Sequence, residues 1–136
     1  MISWNGMFSK KPKPTPDQLR EARHMLGDLE QLFEAGKESA YASEIREVLA
    51  GGGEALEKWL TCGNFWGGKG SMIDCAFCAP SGLGYDIDKR NRREFMKLIV
   101  KLGRHQLTSG ILTAGIKPHI QKWTGVFEGW LSSDAV

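Results

Sequence analysis

The sequence predicts an all-α fold, a compact bundle of five or six helices with a glycine-rich central turn. Three observations carry that prediction. Apolar residues recur at three- and four-residue spacing in the long segments, as one buried helix face requires. No segment alternates apolar and polar residues as a half-buried strand does. Capping residues and glycines also punctuate the chain at helix-length intervals.

Residues 1–16 read as an N-terminal arm and residues 17–136 as a single helical domain. In the arm Trp4, Met7 and Phe8 precede K-K-P-K-P-T-P, whose alternating prolines favour an extended backbone. Thr15, Pro16 and Gln18 then supply an N-cap, a proline at the first helical position and a capping-box partner. The first helix is predicted over 16–35, with Leu19, Ala22, Leu26, Leu29 and Phe33 on its core stripe and Gly36 at a left-handed C′ position. A second helix over about 38–50 should bury Tyr41, Ile45, Val48 and Leu49, and Gly51-Gly52-Gly53 should end it. A third, over about 54–62, should turn Leu56, Trp59 and Leu60 inward and stop at Gly63.

Past the turn, Ser71 and Asp74 spell a second capping box, which predicts a short helix over 72–78. Pro80, Gly82 and Gly84 imply an irregular crossing. Asp86 or Asp88 can cap a long helix reaching about Ser109, with Phe95, Leu98, Ile99, Leu102 and Gln106 on its inner face and Gly110 beyond its end. The last helix begins near Pro118 and should bury Ile120, Trp123, Phe127, Trp130 and Leu131.

Composition bounds the function. The chain has 136 residues, 41% hydrophobic and 25% charged, as an ordinary globular domain has. No apolar run reaches the roughly 18 residues of a membrane helix, so no membrane role is expected. The first residues lack the basic-then-apolar order of a secretory signal, which makes a cytoplasmic location the expectation. Three cysteines, an odd number, fit reduced thiols better than a disulfide framework. Charge is uneven: residues 17–60 carry ten acids against five bases, and residues 61–136 carry ten bases against six acids. Such asymmetry suits either two halves facing each other or two different partners.

The stretch Cys62–Cys78, C-G-N-F-W-G-G-K-G-S-M-I-D-C-A-F-C, concentrates the residues that could carry chemistry. Gly63 followed by Gly68-Lys69 imitates a phosphate loop, but Gly70 stands where the magnesium-binding hydroxyl belongs, and a helix rather than a strand precedes it. Cys62, Cys75 and Cys78 are candidate zinc ligands. They supply one C-x2-C pair, and spacing does not place a fourth ligand among His24, His105 and His119. A redox pair at Cys75 and Cys78 would need a preceding strand, and Asp74 would raise the neighbouring thiol pKa. The structural reading prevails: glycines permit a turn, and Trp59, Phe65, Trp66 and Phe77 fill the space around it. No cofactor and no catalytic set are implied, and no enzyme signature appears.

Two charged faces remain. Arg90, Arg93, Lys97, Lys101 and Arg104 are spaced 3-4-4-3 on the long helix, opposite its apolar stripe. That row could track nucleic-acid phosphates, form a solvated face, or dock the acidic first two helices. No helix-turn-helix spacing or aromatic platform supports nucleic acid as the main partner. The other face is acidic: Glu30, Glu34, Glu38, Glu44 and Glu47.

The segments W-L-T-C-G-N-F-W-G-G-K-G-S-M-I-D and R-R-E-F-M-K-L-I-V-K-L-G, with a tryptophan-bearing last helix, resemble a family of small bacterial all-α proteins with a W-G-G-x-G-S-x-x-D core. The resemblance spans approximately residues 19–131, and Trp66, Gly67, Gly68, Gly70, Ser71 and Asp74 are the matching positions. The cysteines depart from it. The resemblance attaches no catalytic residue, and proteins of this kind accompany toxins or secreted effectors. It implies a non-enzymatic immunity protein that neutralises a cognate toxin by occluding it, with the acidic set as the contact surface. The alternatives are a nucleic-acid-associated protein using the basic row, or a small zinc-binding domain. Oligomeric state is not legible.

Overall fold

A computed structural model describes residues 13–36, 38–68, 70–78 and 89–133, with the side chains of residues 76–78 and 89–90 outside that description. The predicted arm, apart from residues 13–16, and the crossing at Pro80, Gly82 and Gly84 with its Asp86 or Asp88 cap lie outside the described residues. Within them are seven helices and no strand: α1 (Pro16–Ala35), α2 (Ser39–Ala50), α3 (Gly53–Leu60), α4 (Gly63–Trp66), α5 (Met72–Cys78), α6 (Lys89–Ser109) and α7 (Lys117–Ser133). The fold is all-α, as predicted.

α1 begins where its capping box sets it. The Thr15 hydroxyl accepts from the Gln18 amide at 3.1 Å, and the Gln18 side chain accepts from the Thr15 amide at 2.9 Å. These bonds satisfy two of the amides a helix start leaves unpaired. Its far end differs from expectation. Gly36 has φ −86, outside the left-handed region, and closes the helix by donating its N–H back to Leu32 and Glu34 carbonyls. A left-handed glycine closes α6 instead, at Gly110 with φ 81.

α1 and α2 form an antiparallel hairpin, shown by the order of their cross-links. Arg46 of α2 reaches Glu30 and Glu34 late in α1, while Arg23, earlier in α1, donates to the Leu49 and Gly51 carbonyls at the end of α2. A cation there meets the negative end of the helix dipole and fills carbonyls without intrahelical partners. α1 also packs on α6, and α6 packs on α7. Aromatic rings tie these layers together: Phe33 of α1 lies 6.0 Å from Phe95 of α6, which lies 6.2 Å from Phe127 of α7. Phe33, Phe95 and Phe127 are fully buried with Leu26, Leu29, Ile45, Leu56 and Ile99.

Several inward assignments change. Tyr41, Val48, Leu49 and Trp59 are half-buried and rim the core, and on α2 the fully buried positions are Ala42 and Ile45. Trp130 is 40% exposed, although its ring lies 6.0 Å from that of buried Phe127. The segment predicted as one helix over 54–62 ends at Leu60. The Thr61 hydroxyl bonds to the Glu57 and Lys58 carbonyls there, and a separate turn, α4, follows.

Candidate functional site

The glycine-rich stretch is built around two indoles. Trp66 is fully buried at the end of α4, edge-on to Phe65, whose ring lies 4.9 Å from that of Trp59. Its indole N–H donates to the side-chain oxygen of Gln106 at 2.8 Å. The amide nitrogen of Gln106 donates in turn to the Leu60 carbonyl at 3.0 Å and the Ile111 carbonyl at 2.9 Å. One wholly buried glutamine therefore joins α3, α4, α6 and the α6–α7 connection, with both amide protons and its oxygen paired. Trp123 of α7 completes the arrangement by donating its indole N–H to the Gly67 carbonyl at 3.2 Å.

Close approach explains two glycines. A Cβ at Gly67 would lie 2.4 Å from the Gly63 carbonyl oxygen. A Cβ at Gly103 would lie 2.1 Å from the Thr124 methyl and 3.1 Å from the Trp66 ring, so α6 and α7 cross through that gap. Gly70 adopts φ 91, which only glycine takes without strain. Its amide donates to Asp74 at 3.0 Å, and the Asp74 amide donates to the Ser71 hydroxyl at 3.2 Å. Half of the second capping box forms as predicted: the Asp74 carboxylate takes the Gly70 amide, while the Ser71 amide donates to the Gly68 carbonyl at 3.1 Å. Asp74 thereby places a carboxylate at the start of α5, where a bound phosphate would have to sit. Trp66, Gly67, Gly68, Gly70, Ser71 and Asp74 act as one turn, with half-buried Gly68 accepting the Ser71 amide at 3.1 Å near His119.

The cysteines have other surroundings than a tetrahedral site. The Cys62 thiol points to the Trp59 carbonyl at 3.1 Å, and Cys75 lies beside the Tyr41 hydroxyl. The Cys78 side chain is outside the described residues. Among the described residues no three histidine, cysteine or carboxylate side chains are grouped to hold a metal ion.

The acidic set is divided by the structure. Arg46 binds Glu30 at 3.0 Å and Glu34 at 2.8 Å, which fixes both carboxylates across the α1–α2 hairpin. Glu44 accepts the Trp59 indole N–H at 3.0 Å. Glu38 is half-buried at the start of α2, and Glu47 is exposed on its outer face.

The basic row is divided as well. Lys97 faces Glu94 at 3.5 Å, Arg104 pairs with Glu128 of α7, and Arg93 is half-buried. The Arg90 side chain is outside the described residues. Lys101 is exposed at the seam between α1 and α6. That seam is pinned from within by His105, whose Nε2 meets the Gln18 carbonyl at 2.8 Å and whose Nδ1 lies 3.3 Å from Glu21. Bonded to a carbonyl, Nε2 takes the donor role.

Sequence reasoning placed Gln106 inward without its partners, weighed His105 only as a metal ligand, and missed Gly103 and Arg23. A glutamine on an otherwise apolar stripe was the available signal, since a buried amide needs several partners. No helix among the described residues is long and apolar enough to cross a membrane. The chain matches no family model, no curated protein and no solved structure.

Proposed function

We propose that the protein is a non-enzymatic bacterial interaction protein, an immunity protein that binds a cognate toxin or effector in the cytoplasm and occludes it. The observation that carries this reading is the acidic ridge of the α1–α2 hairpin. Glu30 and Glu34 share the one Arg46 in a weak, largely exposed pairing that a partner's cations can replace, and Glu47 stands exposed on the same hairpin. Occlusion needs such a charge-complementary surface and no chemistry of its own. The resemblance at Trp66–Asp74 supports the same reading. Nucleic-acid binding draws less support, because Lys97 and Arg104 are offset one for one by Glu94 and Glu128, whereas Glu30 and Glu34 share a single arginine.

Co-expression with a candidate toxin encoded beside its gene tests the proposal. The expected result is rescue of growth and a stoichiometric complex that weakens with salt, with Glu47→Lys loosening it roughly tenfold. Absence of both the complex and the rescue would overturn it.

A further inference from the structure

The N-terminal arm enters the fold at Lys13, just before Asp17, where a surface groove opens along the seam between α1 and α6. That groove, of about 560 Å³, passes Asp17, Glu21 and His24 to Met25 and Lys101. A second, of about 450 Å³, continues from Lys101 past Asp28 and Glu94 to half-buried Leu32 and Leu98. From Asp17 to Leu32 the trough follows α1 for about 22 Å at the helical rise per residue.

The charged lining leans acidic. Asp17, Glu21, Asp28 and Glu94 stand against three fixed cations, Arg20, Lys97 and Lys101. Arg20 meets Asp17 and Lys97 meets Glu94. Glu21 and Asp28 are faced by His105 and His24, which carry charge only when protonated. A surplus this small does not recruit a free partner from solution. It does suffice for a cationic segment tethered at the mouth of the trough, because a short tether holds its end at an effective concentration of roughly millimolar.

The arm has the matching composition and order. Lys10, Lys11 and Lys13 carry its charge, no acid occurs among residues 1–16, and Trp4, Met7 and Phe8 bring apolar surface. The lysines lie nearest the tether, as Asp17 and Glu21 lie nearest the mouth, and the apolar residues are farther out, as Leu32 and Leu98 are. Alternating prolines favour a rise of about 3.1 Å per residue, so the stretch from Lys13 back to Trp4 spans about 28 Å. Laid along the trough, that length brings an indole to Leu32 and Leu98. The acidic ridge attracts the arm less, because Glu30 and Glu34 already share Arg46.

We infer that the α1–α6 trough is the docking site of the chain's own N-terminal arm, with Lys10 and Lys11 beside Glu21 and Trp4 over Leu32 and Leu98. The contact is separate from the ridge and from the partner proposed there, so either can fail alone.

Nuclear Overhauser contacts in the full-length chain, labelled at its leucine methyls, test it. The Trp4 indole protons are expected to give cross-peaks to the Leu32 and Leu98 methyls. Full-length Trp4→Ala should lose them and shift the Leu32 and Leu98 amides. Lys10→Glu with Lys11→Glu should weaken the cross-peaks roughly twofold or more, and Glu47→Lys on the ridge should leave them unchanged. Absence of Trp4 cross-peaks to both leucines, their full survival in the double lysine variant, or their appearance on α2 instead would overturn the inference. Cross-peaks that fade on dilution would place the arm of one copy in the trough of another, which also overturns it.

Discussion

The glycine-rich turn and the outer face of α1 both concentrate polar side chains, and they satisfy them in opposite ways. In the turn the two indoles and the glutamine have fixed partners away from solvent: Trp66 on Gln106, Gln106 on two carbonyls, Trp123 on Gly67. On the outer face of α1 the pairs are side chain to side chain, partly exposed and replaceable by water or by a partner. Internal satisfaction makes the turn a joint of the fold. Loose satisfaction leaves the α1 face able to exchange its pairs for those of another molecule, at small cost. The richest motif in a sequence is thus not automatically its site.

The largest effect is expected at Gln106. Gln106→Leu keeps the volume but leaves the Trp66 N–H and the Leu60 and Ile111 carbonyls without partners, a loss of about 3–5 kcal/mol. Against a total stability of about 5–15 kcal/mol that approaches unfolding, and a urea midpoint measures it. Gly103→Ala comes next, at about 2–3 kcal/mol. The Thr124 methyl it strikes is held by its own hydroxyl bond to the Ile120 carbonyl at 2.7 Å and has little room to turn away. Thermal melts of the two variants would break the comparison if both proved as mild as surface changes.

Tyr41, on the rim between the two regions, gives a smaller and pH-dependent effect. Burial first, then the charges of Cys75 and Glu38, push its hydroxyl above the usual 10.0. The native state therefore holds the phenolic proton more tightly than the unfolded chain does. That stabilisation is complete below about pH 10 and is lost as pH rises through the raised native value. Tyr41→Phe should flatten the alkaline fall of the melting temperature and leave the curve near neutrality in place. The smallest effect is expected from Arg46→Ala. Arg46 and Glu34 are exposed and Glu30 half-buried, so the melting temperature should change little at low salt and less at high salt.

The helices were legible where local chemistry decides them. α1 is bounded as read, because Thr15, Pro16 and Gln18 define its start within four residues. α5 follows from Ser71 and Asp74 in the same way. What the sequence left hidden depends on distant residues. Gln106 meets Trp66 across forty positions, and the gap at Gly103 exists only once α7 crosses α6. The end of α3 was misplaced because Thr61 reads as an ordinary helical residue until its hydroxyl is seen to take two carbonyls. Trp130 was read inward from its spacing, yet periodicity does not say where a covering layer stops. On the candidate faces, residue types gave the signs of charge, while the pairing of Arg46 with Glu30 and Glu34 needed the packing of α2 on α1.

Hydrogen exchange of the indole N–H groups, followed by NMR, tests the central claim most directly. Trp66 and Trp123 donate from buried positions inside the joint, and Trp59 donates to Glu44 from a half-buried one. The Trp66 proton should exchange only through global unfolding, with Trp123 close behind and Trp59 much faster through local opening. A Trp66 proton that exchanges as fast as that of Trp59 would mean that the turn opens on its own, and would contradict its role as the fixed joint of the fold.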